Sequence, residues 1–237
     1  MGVWGNGPSL VQGQSPWPAF LQGNHMPSTD IPASDGVVIC SDETVWGGRF
    51  PLQVVKFRQR RFDGEMSGLR TWELWRRGAA AAVLPYDPVT DQVVVIEQFR
   101  LPALAAGFDP VLVELAAGLA DGTEAPEDVV RREAVEEMGL PVERLERIGD
   151  FLLTPGGCDE HCTIFAGLVR LPALPPDGLI GHGGLATEQE DIRVRAVPAR
   201  DAIETAIAGK YPNSVATLGL LWLAARHDWL RARWNGA

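Results

Sequence analysis

The stretch between Gly118 and Leu140 constrains this chain more than any other. Glu133, Glu136 and Glu137 stand at i, i+3 and i+4, so a helix over residues 126–138 places the three carboxylates on one face. That helix is well signalled. Thr123 offers an N-cap hydroxyl, Pro126 suits the first turn, and Gly139 supplies a left-handed stop. Like charges at these spacings cost an isolated helix a few tenths of a kcal/mol, roughly, per pair, and something outside it must offset this. A hard divalent cation does so, because Mg²⁺ takes carboxylate oxygens, water and phosphates. A solvated acidic face is the alternative. Gly118 permits a tight loop ahead of the helix, and Glu124 can pair with Arg132 across the junction.

Around this stretch, strand and helix patterns mix without strict alternation. Residues 52–57, 69–75, 79–84, 92–97 and 111–115 read as strands, with a hairpin at Phe62-Asp63-Gly64 and a turn over 87–91. Strands follow at 148–153, 162–168 and 192–197, and helices at 200–208 and 214–234. Residues 171–190 form a long Gly- and Pro-rich loop, a length usually tied to function or disorder. Residues 1–34 lack either period and read as an extended arm. The expected organisation is that arm, an N-terminal β region over 35–77, and a main domain over 78–237 with helices packed on a mixed sheet.

The formal net charge of -10 argues against a nucleic-acid polymer as partner, since phosphate backbones need clustered Lys and Arg. A small phosphorylated ligand is compatible, because a cation on a carboxylate cluster reverses the local sign. Cys40, Cys158 and Cys162 are too few for a disulfide scaffold and point to a reducing compartment. Cys158 and Cys162 flank His161 but lack the partners of a zinc site. No apolar run spans a bilayer and no secretory signal is evident, so a cytoplasmic location away from membranes is expected.

The order Gly118, five residues, Glu124, seven residues, Arg132-Glu133-Ala134-x-Glu136-Glu137-x-Gly139-Leu140 resembles the Nudix box. Ala134 departs mildly, since a larger aliphatic residue is usual there. From about residue 37 to 234 the chain is similar to the bacterial ADP-ribose pyrophosphatase subfamily. Ile96-Glu97-Gln98-Phe99-Arg100, Glu114-Leu115-Ala116-Ala117-Gly118 and Pro155-Gly156-Gly157 carry much of that likeness. The resemblance implies an α/β/α sandwich with a mixed β-sheet, plus an N-terminal antiparallel β region.

The same resemblance implies Mg²⁺, with Mn²⁺ as a substitute. Its ligands would be Glu133, Glu136, Glu137 and the Ala117 carbonyl, with Gly118 beside the substrate. Glu137 would belong to the catalytic set. Arg100 would grip a pyrophosphate, and Glu188 would act as general base, with Glu190 as second candidate. Glu160 matches a position near a terminal ribose, and Glu73 and Trp72 lie on the adenine side. Trp72 stands where the subfamily often has an arginine; its ring can still stack on a base. The implied activity is hydrolysis of a nucleoside diphosphate derivative, ADP-ribose foremost, giving AMP and ribose 5-phosphate. A nucleotide-sugar or dinucleotide pyrophosphatase and a non-catalytic ADP-ribose sensor are the alternatives. The implied assembly is a homodimer built through the N-terminal region.

Overall fold

The computed structural model describes residues 30–235, the side chain of Glu188 excepted. The arm expected over 1–34 therefore lies outside the described residues, except for 30–34, which carry no helix or strand. The chain divides into two compact units. Among the described residues, one comprises 30–77 and 156–159, the other 78–155 and 160–235.

In the first unit, β1 (Val37–Trp46), β2 (Leu52–Gln59) and β3 (Arg70–Trp75) form an antiparallel sheet in that order. The turn signal at Phe62-Asp63-Gly64 lies between β2 and β3. Gly64 takes φ of +90° there, and its N–H donates to the Arg61 carbonyl at 3.0 Å. One face carries a buried polar cluster: Gln53 donates to Asp42 at 2.7 Å and accepts from Arg76 at 3.2 Å. β1 is exposed along its whole length.

The second unit is built on β4 (Ala79–Asp87), β5 (Gln92–Phe99), β6 (Val111–Glu114), β7 (Ala116–Leu119), β8 (Arg144–Leu152), β9 (His161–Leu168), β10 (Leu179–Gly183) and β11 (Ile192–Pro198). The strand order is β10-β11-β5-β4-β9-β8, with β6 paired to β5 and β7 to β4. β4 and β9 run parallel; the other described pairs are antiparallel. The helices are α1 (Leu101–Ala105), α2 (Pro126–Met138), α3 (Ala199–Ile207) and α4 (Ser214–Asn235).

β4 explains the layering. Side chains of a strand alternate between faces. Ala80, Ala82, Leu84 and Tyr86 pack with α3 and α4, through Ala202, Leu220, Leu223 and Trp234. Ala81 and Val83 pack with α2, through Val129, Val130, Ala134 and Met138. A central strand buried on both faces between two helical layers is the expected α/β/α sandwich with a mixed sheet, and the small side chains of β4 let both layers approach.

Several local expectations are corrected. Thr123 is not the cap of α2. The N-cap is Ala125, with no side-chain bond, because Pro126 fixes the first helical residue and the Asp128 N–H closes the first turn on the Ala125 carbonyl at 2.9 Å. The strand over 111–115 is β6, but a second strand, β7, follows it at once and pairs with β4. The loop over 171–190 contains β10 and a short 3-10 turn at Ala186–Glu188. Its glycines hide β10 from any alternating pattern. α1, five residues long, carried no periodic signal.

Candidate active site

α2 sets the glutamates. Its buried face, Val130, Ala134 and Met138, points at the sheet, which leaves Glu133, Glu136 and Glu137 along the flank beside β7. Ala134 is fully buried there, so the small side chain is a matter of packing. Gly139 ends the helix with φ of +67°, and the Leu140 N–H reaches back to the Ala134 carbonyl at 3.2 Å. The stop predicted from the sequence is thus the observed one.

β7 brings the backbone of the preceding loop against these carboxylates. Ala117, opposite Ala82 on β4, donates its N–H to Glu137 Oε2 at 2.8 Å. At Gly118 any Cβ would fall within the Glu133 carboxylate. Glycine lets the Glu133 carboxylate sit against the backbone here, and its role is close approach, not backbone conformation. Arg132 ties the junction as its pairing with Glu124 predicted. It donates to Glu124 at 3.1 and 3.2 Å, to Glu133 at 2.7 Å, to Glu136 at 3.2 Å and to the Leu119 carbonyl at 3.3 Å.

Glu137 is 3% exposed. Burial pushes its carboxyl up to about 8; the Ala117 N–H opposes the shift, Glu133 and Glu190 add to it, and Arg100 opposes it. Burial likewise raises Glu133, against Arg132, with Glu136 and Glu190 contributing in the same sense as burial. Glu133, Glu137 and Glu190 thus share one electrostatic neighbourhood, with Arg100 in reach.

β10 and the turn after it press on the end of α2. The Gly184 N–H donates to the Glu136 carbonyl at 3.0 Å, and a Cβ on Gly183 would collide with the Glu137 carbonyl. Beyond them Glu190 Oε2 accepts the Leu185 N–H at 3.2 Å. The backbone of Glu188 closes the 3-10 turn; its side chain lies outside the described atoms.

Arg100, at the end of β5, is held by Glu114, which accepts from its Nε at 2.9 Å and its Nη2 at 2.8 Å. Glu114 is buried and its other oxygen accepts from Asn213 Nδ2 at 2.8 Å. Asn213 in turn caps α4 through the Ala216 N–H at 2.9 Å. Sequence reasoning gave no role to Glu114, Asn213, Gly183 or Gly184. An asparagine just before a helix pattern and a Gly-Gly pair in a late loop were the available signals.

Among the described residues, no three Asp, Glu, His or Cys side chains already converge on a point where an ion would be ligated. The donor chemistry nonetheless fits a hard dication. Buried carboxylates that raise one another's proton affinity want a cation, and all their donors are oxygen.

The remaining candidates lie elsewhere. Trp72 and Glu73 line a cleft of about 490 Å³ in the first unit with Leu52, Val54, Thr71, Gly156 and Gly157. Trp72 meets Phe57 edge-on at 5.5 Å and the Arg70 guanidinium at 5.0 Å. Glu160 precedes β9 in the second unit, where its charge bears on the buried Cys162 thiol.

The NUDIX domain profile matches residues 76–215, more than half of the chain. The chain belongs to the Nudix family. Similar proteins include the ADP-ribose pyrophosphatase of Escherichia coli K12, 40% identical over 215 residues, which span 91% of this chain and 100% of that one. The Haemophilus influenzae ADP-ribose pyrophosphatase is 37% identical over 84% of this chain and 91% of its own. A GDP-mannose pyrophosphatase of Salmonella arizonae is 30% identical over 82% and 98%. The crystal structure of an ADP compounds hydrolase shares the fold with a TM-score of 0.59 at 18% identity, covering 86% of this Nudix chain and 99% of its own.

Proposed function

We propose that this Nudix protein is a divalent-metal-dependent pyrophosphohydrolase acting on ADP-ribose, with AMP and ribose 5-phosphate as products. One observation carries the proposal: Glu133, Glu190 and Arg100 all act electrostatically on the buried Glu137, which the Ala117 N–H binds, in a chain that aligns along 91% of its length with enzymes named ADP-ribose pyrophosphatase.

Glu133, Glu136, Glu137 and the Ala117 carbonyl would hold Mg²⁺, or Mn²⁺ in its place. The bound cation would supply charge neutralisation of the diphosphate and acidification of water. Arg100, braced by Glu114, presents its free guanidinium edge to the diphosphate. Gly118, against which the Glu133 carboxylate packs, would lie beside the substrate. Glu188, or Glu190 in its stead, takes a proton from the attacking water. The water oxygen bonds to one phosphorus while the bridging P–O bond breaks, and the leaving phosphate keeps the electron pair. Trp72 offers its ring to the adenine, with Glu73 beside it, and Glu160 serves the terminal ribose. Two of the three cysteines are buried free thiols, which supports a cytoplasmic location. The exposed β1, with Val37, Val38, Ile39, Val45 and Trp46, supports a homodimer formed through the first unit.

The GDP-mannose pyrophosphatase relatives favour a second reading, a nucleotide-sugar substrate. Phosphate assays with Mg²⁺ over ADP-ribose, GDP-mannose and dinucleotides separate the two. ADP-ribose should give the highest kcat/KM, by about tenfold or more, on the order of 1.4 kcal/mol in transition-state binding. Equal or better turnover of GDP-mannose would sink the ADP-ribose assignment. A chain that binds ADP-ribose without turning it over would be a sensor.

A further inference from the structure

Gln98 is 7% exposed, and its side-chain Oε1 is buried without a hydrogen-bond partner. A buried amide left in this state costs on the order of 1–3 kcal/mol, which argues for a reason to keep it. Its position supplies one. Val94 and Ile96 on β5 pack under α2, so alternation puts Gln98 on that same face, and Arg100 after it. Gln98 thus sits between the last apolar layer and Arg100. Across the ladder it faces Ile192 of β11, two residues after Glu190. Glu190 and Arg100 both act electrostatically on Glu137. Gln92, whose Oε1 is also buried and unpaired, lies six residues back at the start of β5, about 20 Å away by strand rise, opposite Asp87 of β4 and away from the α2 glutamates.

We propose that Gln98 is a positioning residue of the metal centre, its side-chain carbonyl accepting a hydrogen bond from a water on the cation held by the α2 glutamates. A neutral oxygen suits this place. It gives the hydrated cation an acceptor without adding a further negative charge beside Glu133, Glu137 and Glu190. The unsatisfied acceptor of the free protein is then the complement of the loaded site. The proposal rests on those glutamates binding a cation.

The test is Mn²⁺ binding to the full-length, substrate-free protein, followed by electron paramagnetic resonance of free Mn²⁺, beside thermal melts without metal. Gln98→Leu should weaken Mn²⁺ binding by about tenfold or more, the scale of lost partners around metal ligands, while the metal-free Tm holds or rises. Gln98→Asn, which keeps a neutral carbonyl oxygen one methylene shorter, should retain more of the affinity than Gln98→Leu. Mn²⁺ affinity unchanged in Gln98→Leu would overturn the inference, and the glutamate reading would stand provided Glu137→Gln still loses Mn²⁺. Wild-type Mn²⁺ affinity in Glu137→Gln would instead remove the glutamate reading itself. If Gln98→Leu fails to melt cooperatively, Gln98→Met carries the same comparison. Loss of fold in both would make Gln98 a packing residue and overturn the proposal.

Discussion

Glu137 is the most deeply buried of the three α2 glutamates, and its burial has a measurable cost. Its folded-state carboxyl sits near 8, above the ordinary value of 4.5. The folded state therefore holds a proton that the unfolded chain releases between those two values. Stability of the metal-free protein should fall as pH rises through that window, and be unaffected by this group below it. Glu137→Gln removes the charge and keeps the shape. Without metal it should melt higher than wild type at pH 8.5, by about 5 °C, and no higher at pH 4. Activity should fall by about a thousandfold, some 4 kcal/mol. Melts showing no pH-dependent gap would contradict the buried carboxylate. Gly118→Ala drives a methyl into the Glu133 carboxylate, a flexible end that can swing away. We expect Mg²⁺ affinity to drop by about tenfold with Tm nearly unchanged, as read by calorimetric titration. The three glutamates were legible because helical spacing is local. Glu114 was not, because its meaning depends on Arg100 and on Asn213, 99 residues later.

The elements around the site show where sequence patterns carry and where they fail. α2 was legible from residue 126 to its glycine stop, because period, proline and cap all lie within one segment. Thr123 misled because a hydroxyl near a helix start is common, whereas Pro126 decides the register. β10 was illegible because a strand of Leu179-Ile180-Gly181-His182-Gly183 has little alternation to see; only its pairing with β11 defines it. The α4 cap offers a test of coupling between elements. Asn213→Ala removes both the cap and the support of Glu114, and should lower stability by about 1 kcal/mol and raise KM for the diphosphate substrate. Asn213→Ser keeps a cap but cannot span to Glu114. It should recover the Tm while KM stays high. Recovery of both would show that Asn213 acts on α4 alone.

At the scale of the whole molecule, mixed strand and helix patterns gave helices packed on a mixed sheet and the family resemblance gave the α/β/α sandwich, but neither gave the strand order, since pairing partners lie far apart in the chain. The N-terminal sheet presents another molecular property. Its first strand is exposed and carries Val38, Ile39 and Trp46, among other apolar side chains, on an outer edge. Light scattering after size exclusion should give twice the 25.7 kDa chain mass, and Ile39→Lys should shift the protein toward monomer. A monomeric wild type would remove the homodimer.

The parallel pairing of β4 with β9 has a temporal consequence. Ala80 lies beside Cys162, and the whole of β7, α2 and β8 is spelled out between them. A nascent chain halted before residue 161 would contain every acidic side chain of α2 and yet lack the neighbour that completes its central strand. Ribosome-bound intermediates of that length should exchange the amide protons of β4 faster than the full chain does. Loop-closure entropy delays this one pairing until the late strand arrives, so a cation site that needs the finished sheet would form late in folding.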